Sequence, residues 1–145
     1  MTRAPLLLLL VTLALTGCSG DPQEQYCETV TDHQEELTEI AASEDTGALF
    51  DALDVYDDLR EQAPRDIADD WDAVIDPLRR LDEVLADNGV DASSYTSDEP
   101  PADLDAEGRQ EIEAAAREVG SEQTVTAMAA VEQHALDVCG TPLSR

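Results

Sequence analysis

The chain has 145 residues, of which 34 are Asp or Glu against eight arginines and no lysine, for a net charge of −26. A field of that sign repels nucleic acid and anionic lipid headgroups, so neither is held by surface charge. A basic protein partner or bound cations are the natural counterparts, and the plainer reading is an acidic coat that keeps the protein soluble.

The leader comes first in the chain. Arg3 precedes a ten-residue, largely apolar run from Leu6 to Leu15, and small residues then lead to Cys18. About 20 apolar residues are needed to span a bilayer, so the run is an export signal rather than a membrane helix. Leu15-Thr16-Gly17-Cys18 resembles the lipobox of bacterial lipoproteins. The resemblance implies a diacylglycerol on the Cys18 sulfur and cleavage after Gly17, with the new amino terminus open to further acylation such as palmitate. It places the protein at the cell membrane, lipid-anchored on the extracytoplasmic face, with the bilayer as its first partner. Residues 1–17 are then a removed signal peptide, 18–24 a lipid-anchored tether, and 25–143 a single helical domain. The portion after the cut holds all 34 acids and seven arginines, a net −27.

Cys27 and Cys139 remain, an even pair in the oxidising compartment that export implies, and a disulfide is the default. A metal site on these two thiols lacks further ligands at CxxC-like spacing.

Five helices follow in order, and no stretch alternates like a strand. Over 22–42, Tyr26, Val30, His33, Leu37 and Ile40 step by four and three along one face. Over 47–62 the face is Leu49, Leu53, Tyr56 and Leu59, with Phe50 beside it. Pro64 suits the first turn of a third helix, where its missing N–H costs little. That helix carries Ile67, Trp71, Val74, Leu78, Leu81 and Leu85 in phase through Pro77, which predicts a kink near Ala73 rather than a stop. Asn88-Gly89 caps it. Residues 90–104 have no apolar period and form an acidic loop. Asp105 caps a fourth helix that buries Ile112, Ala115, Ala116 and Val119 and ends at Gly120. Ser121 opens a fifth, with Met128, Val131, Ala135 and Val138 on one face, closed by Gly140 and Pro142. The fold class is all-α, a compact bundle of four to five helices closed by one disulfide between the first and last helices.

That disulfide constrains topology. Its Cα atoms must lie within about 7 Å, whereas five helices alternating up and down would leave the two cysteines about 25 Å apart or more. Either the 90–104 loop runs back along the bundle, making helix four parallel to helix three, or a short helix two lies crosswise. Helix five is antiparallel to helix one in the first arrangement.

Motifs for chemistry are sparse. GxSxG, SxxK, HExxH and a Gly-rich phosphate loop are all missing, and no cofactor is implied. The protein therefore reads as a non-enzymatic interaction or accessory module. The acids around the loop (Asp87, Asp91, Asp98, Glu99, Asp103, Asp105 and Glu107) lack the register of a calcium loop, so they read as a solvated face or at most a weak divalent-cation site. His33 lies six residues after Cys27 and His134 five before Cys139. In an antiparallel pair stapled at the cysteines, both rings fall about 8 to 9 Å from the disulfide. With Glu36 and Asp137 they form a candidate two-His, two-carboxylate cation site. The plainer reading is a hydrogen-bonded core His33 and a solvated His134.

Beyond the leader, Tyr26-Cys27, His33-Gln34, Ala63-Pro64, Asp66-Ile67, Trp71 and the tail Val138-Cys139-Gly140-Thr141-Pro142-Leu143 resemble a group of small helical lipoproteins of actinobacteria. The resemblance covers most of residues 18–145 and supports export, anchoring and a Cys27–Cys139 pair. The group carries no assigned activity, so it transfers no catalytic or binding residue.

Overall fold

Of the five helices among the described residues, two begin on the side chain expected to hold them, and Asp21, which periodicity does not single out, caps a third. Asp21 accepts from the Gln23 N–H and starts α1, Pro22–Ala42. Asp105 accepts from Gly108 and starts α4, Ala106–Val119. Ser121 accepts from Thr124 and starts α5, Glu122–His134. Each satisfies an amide that the first turn leaves free. Between them, α2 spans Ala48–Gln62 and α3 spans Ala68–Asp87. The structure, a computed structural model, describes residues 20–45, 47–96 and 100–145. The leader, Cys18, Asp98 and Glu99 lie outside the described residues.

Helix α3 is the hub. It contacts α2, α4 and α5, whereas α1 contacts only α2 and the turn that ends the last helix. Trp71, in the first turn of α3, is fully buried among Tyr26 and Val30 of α1, Ala52, Val55 and Leu59 of α2, and Ala127 and Val131 of α5. A smaller apolar cluster of Leu85, Val90 and Ile112 closes the other end, with Tyr95 and Leu104 of the acidic loop packed against it. Tyr95 thus packs inward. α3 also runs unbroken through Pro77.

The first four helices alternate in direction, the fifth does not, and so the two cysteines meet. Arg80 of α3 pairs with Glu118 of α4, and the Asn88 amide donates to Glu111, so α3 and α4 are antiparallel. His134 lies beside Asp66, and Ala73 shares a surface cleft with Thr124, so α5 is antiparallel to α3 as well. The two short helices run head to tail, α4 along the second half of α3 and α5 along the first. Gly120 and Ser121 make the joint. Neither a returning 90–104 loop nor a crosswise helix two is used. α4 is antiparallel to α3, not parallel, and the parity is resolved because α5 continues in the direction of α4 instead of reversing it.

The last turn, Ala135–Cys139, widens to a π-helix and ends at Gly140, whose φ of 67° needs a residue without a Cβ. The disulfide Cys27–Cys139 forms there, with a Cα–Cα distance of 5.1 Å. Beyond it the tail turns up along α1. Gln34 Nε2 donates to the Pro142 carbonyl at 2.5 Å, the Arg145 N–H donates to Thr38 Oγ1 at 3.1 Å, and Leu143 is buried. Both apolar clusters and the disulfide lie within residues 20–145, which therefore fold without the leader.

The expected faces hold with shifts. On α1, Gln34 rather than His33 is buried, because the tail needs its amide. On α2, the buried stripe is Ala48, Ala52, Val55 and Leu59 with Tyr56, leaving Leu49 44% exposed. On α4, Ile112 and Ala115 are buried but Ala116 is exposed.

The disulfide spans 112 residues of sequence, and the loss of loop-closure entropy it imposes on the unfolded chain is worth about 4 to 5 kcal/mol. Urea unfolding of the Cys27→Ser/Cys139→Ser double variant should show a loss approaching that size, with a larger m-value because the unfolded chain freed of the crosslink exposes more surface. A loss below about 1 kcal/mol would contradict the closure described here.

Candidate functional site

The two histidines occupy different surroundings. His33, on α1, faces α2: Nδ1 lies 3.3 Å from Glu36 Oε2, and Nε2 lies 3.3 Å from Asp58 Oδ2. His134, at the end of α5, meets the Tyr26 ring edge-on with centroids 5.7 Å apart, and its Nδ1 lies 4.0 Å from Asp66 Oδ2. Asp137 sits exposed in the π turn. His33 and Glu36 are neighbours, but the structure does not bring them to His134 or Asp137. Among the described residues no group of three or more His, Cys, Asp or Glu side chains is arranged to hold a metal ion. The reason is orientation: His33 lies on the side of α1 that faces α2, against Asp58, whereas His134 meets Tyr26 and lies beside Asp66.

Among the described residues, three buried polar side-chain atoms have no hydrogen-bond partner: Tyr26 Oη, Trp71 Nε1 and His134 Nε2. They belong to one neighbourhood under the disulfide. The Trp71 N–H approaches the Tyr26 hydroxyl and partly offsets the rise in that hydroxyl's pKa caused by burial, without reaching hydrogen-bond geometry. Tyr56 is likewise pushed above its ordinary value, first by burial and then by the charge of Glu132.

Ion pairs bind α2 to α3 on the outside. Arg60 grips Asp72 through two N–H donors and holds that carboxyl below its ordinary value. Arg79 reaches both oxygens of Asp57 at 2.7 Å. These pairs are half-exposed and contribute modestly. Asp91 is also lowered, by the hydroxyl and backbone of Ser93, which is loop-turn chemistry rather than a ligand site.

A concave, partly apolar feature lies between α1 and α5. Because the tail separates these helices, a groove of about 310 Å³ opens beside Leu143, walled by Leu37 and Ile40 on one side and Met128 on the other. Tyr56 and Leu49 of α2 complete its apolar lining, and its charged members are Asp45 and Glu132. Periodicity alone does not reveal this groove. Leu49 and Met128 read as core positions in the sequence, and the role of the Thr141–Arg145 tail has no periodic signal.

Comparison with known proteins finds no matching family model, no matching curated protein and no matching solved structure.

Two outcomes test this geometry. Tyr26→Phe should leave stability unchanged to within about 1 kcal/mol or raise it, because the lost hydroxyl makes no bond, whereas a drop above about 2 kcal/mol would show that it does. Zinc or calcium should shift the melting temperature no further than sodium chloride at matched ionic strength, in the wild type and in His33→Ala alike. A metal-specific rise that disappears in His33→Ala would restore the histidine site.

Proposed function

We propose that this chain is a membrane-anchored extracytoplasmic lipoprotein that acts as a non-enzymatic helical interaction or accessory module. The observation that supports the reading most is the bonding of Cys27 to Cys139. A stable disulfide suits an exported protein. It also leaves Cys18, within Leu15-Thr16-Gly17-Cys18, as the one cysteine outside that bond. No helix among the described residues is long and apolar enough to cross a membrane.

On this reading the anchor and the domain are closely coupled. Pro22, the first helical residue, comes four residues after Cys18, a reach of at most about 14 Å. The disulfide end of the bundle then faces the bilayer, and the acidic surface is repelled from anionic headgroups. Two acyl chains on one cysteine give durable attachment where a single chain would be marginal.

Expression of the wild type and Cys18→Ser in a bacterial host that processes lipoproteins, followed by detergent phase partitioning, tests the anchor. The wild type should enter the detergent phase and carry labelled palmitate, and Cys18→Ser should do neither. Equal partitioning of the two proteins would overturn the proposal.

A further inference from the structure

We propose that the groove between α1 and α5 is a docking site for a basic, apolar-sided segment of a partner protein, an inference that rests on the interaction-module reading above. Large hydrophobic side chains are exposed at three described positions, Leu49, Val125 and Leu136. Two of these line clefts on either side of the buried tail residue Leu143: Leu49 in the groove itself, and Leu136 in a second cleft that shares Glu132, Leu143 and Ser144 with it. Apolar surface is therefore concentrated where α1 and α5 fail to meet.

Charge selects the occupant. Neither cleft is lined by an arginine, and both include Glu132. That carboxylate acts electrostatically on Tyr56 in the groove floor, and Asp45 stands at the opposite rim. A second copy of the chain would bring another strongly negative surface to this one and is disfavoured. The chain's own lipid is also a poor fit: Leu37 and Ile40 lie 15 and 18 residues along α1 from Pro22, a distance of about 22 to 27 Å. An amphipathic helix with Leu-sized side chains on one face and Arg or Lys beside them matches both the apolar walls and the acidic rim, which is the helix-in-groove mode of recognition. The volume of about 310 Å³ suits one or two such side chains. In the anchored protein this groove lies well away from the lipid end, open to a partner in the extracytoplasmic space.

The test uses the oxidised domain, residues 20–145, and three fluorescent 18-residue peptides. One carries a Leu face and Arg elsewhere, one replaces Leu by Ser at the same charge, and one replaces Arg by Glu. Affinities are measured at physiological salt for the wild type, Leu49→Ser, Met128→Ser and, as a control outside both clefts, Val125→Ser; circular dichroism verifies folding of each. The Leu/Arg peptide should bind saturably, about tenfold more tightly than the Ser/Arg peptide, and each groove variant should lose about tenfold while Val125→Ser loses none. Equal binding of the Ser/Arg peptide, or equal behaviour of Leu49→Ser and Val125→Ser, would reduce the interaction to diffuse ionic adsorption and overturn the proposal. Failure of the Leu/Arg peptide to bind, or tighter binding of the Leu/Glu peptide, would overturn it too. Lipid plays no part in this measurement, so its failure is distinct from failure of the anchor, which partitioning of Cys18→Ser reads separately.

Discussion

The closure of the last turn onto the first helix is the constraint on which the rest of this structure depends. The backbone of α1 approaches that of the last turn, Ala135–Cys139, rather than that of α5; α1 is joined to this end of the chain by Cys27–Cys139, by the edge-on contact of Tyr26 with His134, by Gln34 holding the Pro142 carbonyl, and by the burial of Leu143. Without that clasp, α1 would be fastened through α2 alone. With it, the four-layer order α1, α2, α3 and α4–α5 becomes a ring around Trp71, and a fully buried tryptophan of this kind is worth about 3 to 5 kcal/mol against alanine. The clasp also carries a cost to polar groups, since Tyr26, Trp71 and His134 are packed beneath it with unpaired atoms. The large apolar area of two aromatic rings outweighs that penalty.

The same clasp explains how apolar surface stays exposed on a protein otherwise coated in acid. A tail of five residues is narrower than a helix, so it keeps α1 and α5 apart without filling the space between them. The groove is a by-product of that closure, and its composition follows from which helix faces border it: the outer edge of the α1 stripe, the start of α2, and the side of α5 turned away from α3. Glu132 and Asp45 lie on those edges because every exposed face of this chain is acidic. Apolar floor and acidic rim therefore arise from separate features of the sequence that meet at one place.

Much of the architecture was legible in the residues. Asp105 and Ser121 mark helix starts by short side chains that accept from the first turn, and Gly89 and Gly140 mark ends, where the backbone takes a positive φ. The α3 stripe from Trp71 to Leu85 read correctly because it is long and in phase. The disulfide was legible from cysteine parity. Direction was not. The joint at Gly120-Ser121 looks like any helix boundary, and nothing local says that α5 continues the course of α4 instead of reversing it. His33 sits in register with Tyr26 and Leu37, so spacing placed it in the seam, but Gln34 is preferred there because it bonds the tail. That bond joins residues 108 positions apart and leaves no trace in a window of a few turns. Likewise the three small or β-branched residues of the α2 core, Ala48, Ala52 and Val55, lose to Leu49 and Leu53 on hydrophobicity alone, yet close approach to α1 and α3 favours the smaller set.

The central claim, that the tail stands between α1 and α5 and holds them in place, is tested most directly by long-range nuclear Overhauser effects from the Leu143 methyl groups in the oxidised domain. The account predicts cross-peaks to Leu37 on α1 and to Met128 on α5 in the same spectrum, with a slowly exchanging Gln34 side-chain amide. Direct cross-peaks between α1 and the middle of α5, with Leu143 showing contacts to neither, would contradict it.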